Sequence, residues 1–420
     1  MGEAFLHHRG NKESVIQFNN VIPVMKGDFA TLQTGVHSGA PMVRGNCVGY
    51  AGGINANNQG VTIVNIWDDT GTRKSAASLS VGRGLAGVAP IADDLDVLGG
   101  GWTGSACSAV VETINLKQGS TRTLTSLNSA RHWLVAVSYW GMVSFIGGKG
   151  TDNNGTGMHE YYRRDLTHGS LSSAAYYSVP AYCLAASAVG YNLFIATGGL
   201  NTNTGTYSPV VNSFDYNFTR TDWPNLDEGR MRLAAATIGT DDDIKWVLVA
   251  GGTKGGANFS DVVDVYTRQG IKRSSIRLPV PVGRLEGVSG KHFAVFTGGE
   301  VAISSVASKC NNKAYIIDQS LNITTVPMQN SKACHGLVKL TGDDGVKYVS
   351  MGGYTENWGG CQSGVEYLKI AEELIILPET KYKLGDMTSE ATATNYVHYP
   401  ITKPITGYMK IPNKLNLLPN

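Results

Sequence analysis

The feature that most constrains this chain is a short apolar run ending in paired glycine, which recurs seven times: VGYAGG at Gly52, DVLGG at Gly99, SFIGG at Gly147, IATGG at Gly198, LVAGG at Gly251, VFTGG at Gly298 and VSMGG at Gly352. Successive copies lie 47 to 54 residues apart, a period that belongs to repeat architectures. A unit this short cannot bury both faces of its own sheet, so its stability has to come from packing against neighbouring units. The internal order is clearest in the copy at Gly147: an alternating run over 132–139, a bend, a second run over 142–148, a polar loop, then two more strands. Third strands are read at 61–67, 110–116, 158–165, 210–216, 261–266, 314–318 and 364–370. Four short strands per period is the plan of a propeller blade. Paired glycine has a physical reason here: the second strand must end in a sharp turn close to neighbouring backbone, where a Cβ would clash. Composition agrees, since glycine is 52 of 420 residues and charged residues are only 16%, a balance that suits a turn-rich β protein. With 42% hydrophobic residues the chain can bury a core, which excludes disorder.

Residues 40–378 therefore resemble a seven-bladed kelch β-propeller, and the expected class is all-β. The flanks 1–39 and 379–420 lack the repeat. They are read as a leader or attachment segment and as a C-terminal attachment or oligomerisation segment, able to pair with each other through alternating stretches such as 396–411.

Strand order makes the faces legible. If the first strand runs away from one face, the loop before it and the loop after the second strand share that face. An aligned basic residue is read before the first strand at Arg83, Arg131, Arg232, Arg284 and Lys332, with Tyr182 in place of the basic residue in the fourth repeat. These five are expected to surround the axial opening. The loops after Gly-Gly are rich in Asn, Thr, Ser and Gly, and two of them carry Trp102 and Trp358. Amides and hydroxyls offer hydrogen bonds, guanidinium groups grip carboxylate or phosphate, and an indole stacks on a sugar ring. The set reads as a ligand face for carbohydrate. The alternative is structural: Asn, Gly and Thr make turns, the tryptophans fill gaps, and each basic residue bonds carbonyls of the neighbouring blade. The opposite face collects Asp93, Asp94, Asp241–Asp243, Asp343 and Asp344. Consecutive acids without the D-x-D-x-D-G spacing read as a solvated rim rather than a calcium site.

Several chemistries are excluded by what the sequence lacks. A formal charge of +2 gives no general affinity for nucleic acid, and no apolar window is long enough to span a bilayer. The polar start 1–20 is not a secretory signal. Six cysteines with no C-x-x-C pair read as free, mostly buried thiols rather than a disulfide scaffold. Kelch enzymes of the copper radical oxidase type need two His, two Tyr and a Tyr–Cys link. Here Tyr182 and Cys183 are adjacent and face opposite sides of a strand. No G-x-S-x-G, H-E-x-x-H or Walker sequence is present, and Glu112, Glu286, Glu300, Glu356 and Glu366 form no pair that the sequence places. His132 and His335 read as hydrogen-bonded groups near the axis. No cofactor and no metal are expected.

The leader MGEAFLHHRGNK resembles short leaders of virion and tail proteins of phages that infect Gram-positive bacteria. That resemblance implies a non-enzymatic virion component, made in the host cytoplasm and present in many copies. Such a component would bind a host-surface glycan or neighbouring virion proteins. A sugar-acting kelch enzyme and a cytosolic kelch interaction protein are the alternatives.

Overall fold

The computed structural model describes residues 24–370 apart from 75–76, 93, 241–242, 343–344 and 357–358, together with 398–399 and 409–410. The described part is all-β. Its helical content is the single turn Ser173–Ala175, because the apolar runs are too short for a helix and are closed by glycine-, asparagine- or aspartate-rich turns.

Seven four-stranded sheets follow one another along the chain in a propeller-like arrangement. The first strands are Ala40–Arg44, Gly87–Ala92, Val135–Tyr139, Ala185–Ala188, Ala234–Thr240, Glu286–Val288 and Gly336–Gly342. The second strands are Cys47–Ala51, Leu95–Gly99, Met142–Ile146, Leu193–Thr197, Asp243–Ala250, Phe293–Thr297 and Gly345–Met351. The last four residues of each are buried, since a second strand is covered on both faces by adjacent sheets. The third strands, Ile63–Asp68, Val111–Asn115, His159–Arg163, Val211–Asp215, Val262–Tyr266, Lys313–Asp318 and Gly364–Ile370, fall within two or three residues of the stretches read from the repeat. The pairings are antiparallel, as Val135↔Ile146 and Ile146↔His159 show in the third sheet. Neighbouring sheets share apolar clusters: Leu98 and Ile114 of the second pack with Met42 and Ile66 of the first, and Phe296 of the sixth with Ala236 and Leu248 of the fifth.

Six sheets take their fourth strand from the same repeat. The seventh takes Val24–Thr31, which lies beside Gly364–Ile370. The expected boundary at 39/40 is thus displaced, because without residues 24–31 the strand Gly364–Ile370 would be left as an open edge. Phe29, Leu32 and Val36 pack there against Val338, Leu340, Val349 and Val365, and the Leu32 amide donates to the Ser363 carbonyl at 2.8 Å. Contacts divide the chain into Lys26–Leu368 and a second unit of Met1–Met25 with Lys369–Asn420. In the second unit His398–Tyr399 pairs with Met409–Lys410. The expected pairing between the two flanks lies outside the described residues.

The glycine pairs join the sheets. The N–H of the second glycine donates to a carbonyl of the next sheet's entry loop: Gly53 to Arg83, Gly101 to Arg131, Gly148 to Ala181, Gly199 to Arg230, Gly252 to Val282, Gly299 to Lys332 and Gly353 to Val36, all at 2.8 to 3.0 Å. The last of these runs from the seventh sheet back to the first. The first glycine of each pair is left-handed, and the carbonyl it faces leaves no room for a side chain: a Cβ on Gly52 would lie 2.3 Å from the Arg83 oxygen. In the second repeat the pair with this geometry is Gly100 and Gly101, whereas Gly99 still belongs to the strand. The six thiols are free; Cys47, Cys183 and Cys310 are buried residues and Cys107, Cys334 and Cys361 are half-buried.

Truncating Phe29 to alanine is expected to cost about 3–5 kcal/mol in denaturant unfolding, as for other buried aromatics. Removing residues 1–31 should expose the Gly364–Ile370 edge and make the protein aggregate on mild heating. Unchanged stability in both would show that residues 24–31 are dispensable to the seventh sheet.

Candidate functional site

Each sheet is entered through a loop whose residues repeat by position. Four residues before the first strand stand Val36, Arg83, Arg131, Ala181, Arg230, Val282 and Lys332; two before it stand Ser38, Leu85, Trp133, Cys183, Arg232, Arg284 and Cys334. The two positions do different work.

At the outer position the basic residues are buried, and each is paired with an acid on the third strand of its own sheet. Arg83 meets Glu112 at 2.7 Å, Arg230 meets Asp264 at 2.6 Å and Lys332 meets Glu366 at 2.8 Å, with Arg131 on Glu160 in the same way. The same acids accept backbone N–H groups from the entry loop: Ser80 onto Glu112, Asn128 onto Glu160 and Asp227 onto Asp264, each at 2.8 Å, and Gln329 onto Glu366 at 2.7 Å. Burial pulls Arg83 and Lys332 below their usual ranges although their acids oppose the shift. These pairs latch the loop to the sheet. In the fourth sheet the latch is neutral: Asn212 accepts the Ser178 N–H at 2.8 Å and Ala181 takes the basic position.

Three of the five expected ligand residues, Arg83, Arg131 and Lys332, therefore do not reach the axial opening. Their charges are consumed inside the sheets, with side-chain exposure of 0% in each case. Arg230, rather than Arg232, is their counterpart. Tyr182 stands one position after the latch, not in it.

The inner position faces the ring formed by the first strands. All seven residues there are left-handed, with φ between 50° and 59°. Backbone bonds run from one to the next: Leu85 to Ser38, Trp133 to Leu85, Cys183 to Trp133, Arg232 to Cys183, Arg284 to Arg232 and Ser38 to Cys334, at 2.8 to 3.2 Å. Outside them stand the residues that directly follow the glycine pairs: Ile54, Trp102, Lys149, Leu200, Thr253, Glu300 and Tyr354. Each forms a bridge or short ladder with the entry loop, as Trp102 does with Gly84 and Glu300 with Gly283.

This mouth is chemically lopsided. On one side Trp133 stacks on Tyr182 with centroids 5.4 Å apart and an interplanar angle of 16°, and His132 lies between Trp133 and Trp102 at 4.5 and 5.1 Å. Two cations approach the same indole: Arg232 at 5.7 Å and Lys149 at 5.9 Å, the latter also 5.6 Å from the Tyr182 ring. On the other side Arg284 is paired with Glu300 and donates to the Tyr354 hydroxyl at 2.7 Å. Tyr354 bonds the same Glu300 oxygen, and Ser308 donates to the other oxygen at 2.8 Å.

Burial sets the protonation states. His37 and His132 are pushed down to about 4, so both rings are neutral near pH 7. The Cys334 thiol is pushed up to about 11 by burial, against the opposing charges of Arg284 and Arg232. Glu286, at the start of the sixth first strand, is held up at about 8 by burial and is protonated near neutrality. Glu300 is matched by Arg284, and Lys149 and Arg232 place their cationic groups beside the Trp133 ring.

Arg232 and Arg284 stand at the inner position of their entry loops and Trp102 bridges Gly84 after a glycine pair; Trp358 lies outside the described residues. Trp133, Lys149 and Tyr354 are not singled out by the sequence reading, which takes Tyr182 only as a replacement in the basic series and Glu300 only as a carboxylate without a placed partner. The signal for Lys149, Glu300 and Tyr354 was available, because the position after each glycine pair can be read directly from the sequence. Cys183 is buried with its thiol bonded by Arg232, while Tyr182 belongs to the aromatic stack. Among the described residues no group of three His, Cys, Asp or Glu could hold a metal. Among the described residues no helix is long and apolar enough to cross a membrane. On the far face Asp94 pairs with Lys117 at 2.5 Å and Asp243 is exposed. Asp93, Asp241, Asp242, Asp343 and Asp344 are outside the described residues.

No protein-family model matches the chain, and no curated protein matches it. Among solved structures it is similar to one titled "Structure of YjhT", at 14% sequence identity and a TM-score of 0.53, over 70% of this chain and 98% of that one. At that identity the likeness is one of fold.

The latch is open to a direct test. Arg83→Met strands Glu112 in the interior and should cost about 3–5 kcal/mol. Adding Glu112→Gln keeps an acceptor for the Ser80 N–H, reproduces the neutral arrangement of the fourth sheet, and should recover most of that loss. Equal stability of wild type and single variant in thermal and denaturant unfolding would refute the latch.

Proposed function

We propose that the chain is a seven-bladed kelch-type β-propeller that serves as a non-enzymatic binding module for an anionic glycan, received at the axial mouth. The observation that carries this reading is the convergence of Lys149 and Arg232 on the Trp133–Tyr182 stack. Two positive charges beside aromatic surface suit a sugar polymer that bears carboxylate or phosphate, because the charge is bonded by cation donors and the ring faces are covered by aromatic edges. Seven glycine-to-carbonyl links that return from the seventh sheet to the first, and the likeness to the YjhT structure, support the propeller part of the reading.

A host-surface polymer is the ligand that fits a virion setting. That setting rests on the leader resemblance, whose residues lie outside the described ones. Many copies on one particle would raise avidity by about 10² to 10⁴ over a single weak site.

A second reading, an enzyme acting on sugars, is favoured by one observation: Glu286 holds its proton at neutral pH in the electrostatic reach of Cys334, which also feels Arg284, Arg232 and Glu300. A protonated carboxyl is suited to act as general acid, giving its proton to the leaving oxygen of an acetal as water adds at the anomeric carbon and the C–O bond breaks.

A multivalent form of the protein should bind cell walls of Gram-positive bacteria that carry phosphate- or uronate-rich polymers, more weakly as salt rises. Lys149→Gln with Arg232→Gln should cut that binding at least about tenfold, since each charge-assisted bond contributes about 1.5–3 kcal/mol. Unchanged binding in this variant would refute the axial site. Release of product from the same polymers, lost in Glu286→Gln, would replace the binding reading with the enzymatic one.

A further inference from the structure

The face opposite the glycine loops carries a second feature that the axial mouth does not explain. Between the third and fourth sheets lies a groove of about 630 Å³ lined by Trp140, Tyr161, Arg163, Arg164, Tyr191 and Tyr216, among others. That volume falls in the usual range for ligand sites, about 300–1,000 Å³. Three of its aromatics are open to solvent: Trp140 is 47% exposed, Tyr191 56% and Tyr216 46%. Trp140 meets Tyr191 edge-on at 4.9 Å and Tyr216 at 5.4 Å.

Trp140 is placed against its own conformational preference. It sits with Gly141 in the two-residue turn between Tyr139 and Met142, at φ 49°. Such a turn favours Asn-Gly or Asp-Gly, and a bulky residue at positive φ costs stability. At the corresponding turns of other sheets the sequence has Asn46, Asp93 and Asp94, Asp241 and Asp242, Lys291, and Asp343 and Asp344. By sequence, the third and fourth sheets carry a Trp or Tyr there, Trp140 and Tyr191, where the sixth has His292 beside Lys291, and Trp140 and Tyr191 are neighbours. The Trp140 N–H donates to the Tyr191 carbonyl at 2.8 Å, which joins the two sheets through backbone and leaves about half of the indole surface open for a further contact.

The rim supplies charge. Arg163 lies over the Tyr161 ring at 4.9 Å and donates to its hydroxyl at 2.9 Å, which holds the guanidinium at the groove. Arg164 is exposed beside it. Among the described lining residues the charged ones are both arginines.

We infer that this groove is a second, independent ligand site for an acidic oligosaccharide, whose sugar rings lie against Trp140, Tyr191 and Tyr216 and whose carboxylates meet Arg163 and Arg164. Aromatic planes joined to guanidinium donors select a ring that carries negative charge, and the open groove leaves both ends of a chain free to continue.

The probe is an oligogalacturonate, with maltohexaose as its uncharged counterpart, titrated calorimetrically into the full chain. The background is Lys149→Gln/Arg232→Gln, so that the axial mouth does not contribute and failure of one site is read apart from the other. Trp140→Asn is the informative change, because it restores the favoured turn: the melting temperature should hold or rise while oligogalacturonate affinity falls about tenfold, the scale of one lost aromatic contact with its share of stacking. Arg163→Gln with Arg164→Gln should bring oligogalacturonate binding down to that of maltohexaose. Wild-type affinity in the Trp140→Asn variant would overturn the inference. So would no binding in the axial background, or self-association of the wild type that Trp140→Asn abolishes, which would make the patch a protein contact.

Discussion

Each sheet is held to the next by a glycine N–H that donates across the gap to a backbone carbonyl, and the rest of the structure depends on that bond. It forms only if the preceding glycine takes a left-handed conformation and carries no Cβ, since the same carbonyl would occupy the side chain's place. Seven repeats supply seven such bonds, and Gly353 to Val36 joins the end of the series to its beginning. The bond also fixes where the next residues go. The one after the second glycine is turned onto the entry loop, and the inner residues of that loop are drawn into a left-handed ring. A scaffold made of backbone bonds leaves the side chains at these positions free to vary in chemistry.

That freedom is visible in the difference between the two entry-loop positions. The outer one is spent on stability: charged latches in four sheets, a neutral Asn212 in the fourth, and apolar Val36 and Val282 elsewhere. The inner one and its neighbours after the glycines carry no such pattern. They run from Ser38 and Leu85 through Trp133 and Cys183 to Arg232 and Arg284, an asymmetry that the repeated backbone bonds do not require. Lys149, Arg232, Trp133 and Tyr182 gather in adjacent sheets for the same reason that Trp140 and Tyr191 do on the far face: neighbouring repeats were given unlike residues at equivalent positions.

The repeat was legible because its period and its glycines are backbone requirements, which sequence displays directly. Third strands could be placed within a few residues for the same reason. The basic ring was misread in part because Arg230 and Arg232 are two residues apart, and on an extended loop both look like the partner of Arg131. Which one is buried depends on Asp264, a residue of a different strand, and no spacing along the chain reveals that pairing. The seventh sheet's last strand was missed because residues 24–31 belong to a repeat that begins more than 300 residues later. The exposed aromatics of the third and fourth sheets were visible as letters, but their meeting in one groove follows only from the radial neighbourhood of the two sheets.

Amide hydrogen exchange at the second glycine of each pair tests these inter-sheet bonds most directly. Gly53, Gly101, Gly148, Gly199, Gly252, Gly299 and Gly353 should all be strongly protected, and should open together at a free energy close to that of global unfolding. Rapid exchange confined to Gly353, with the other six protected, would mean that the seventh sheet does not lock onto the first. Unprotected exchange at all seven would remove the bonds on which the fold has been built.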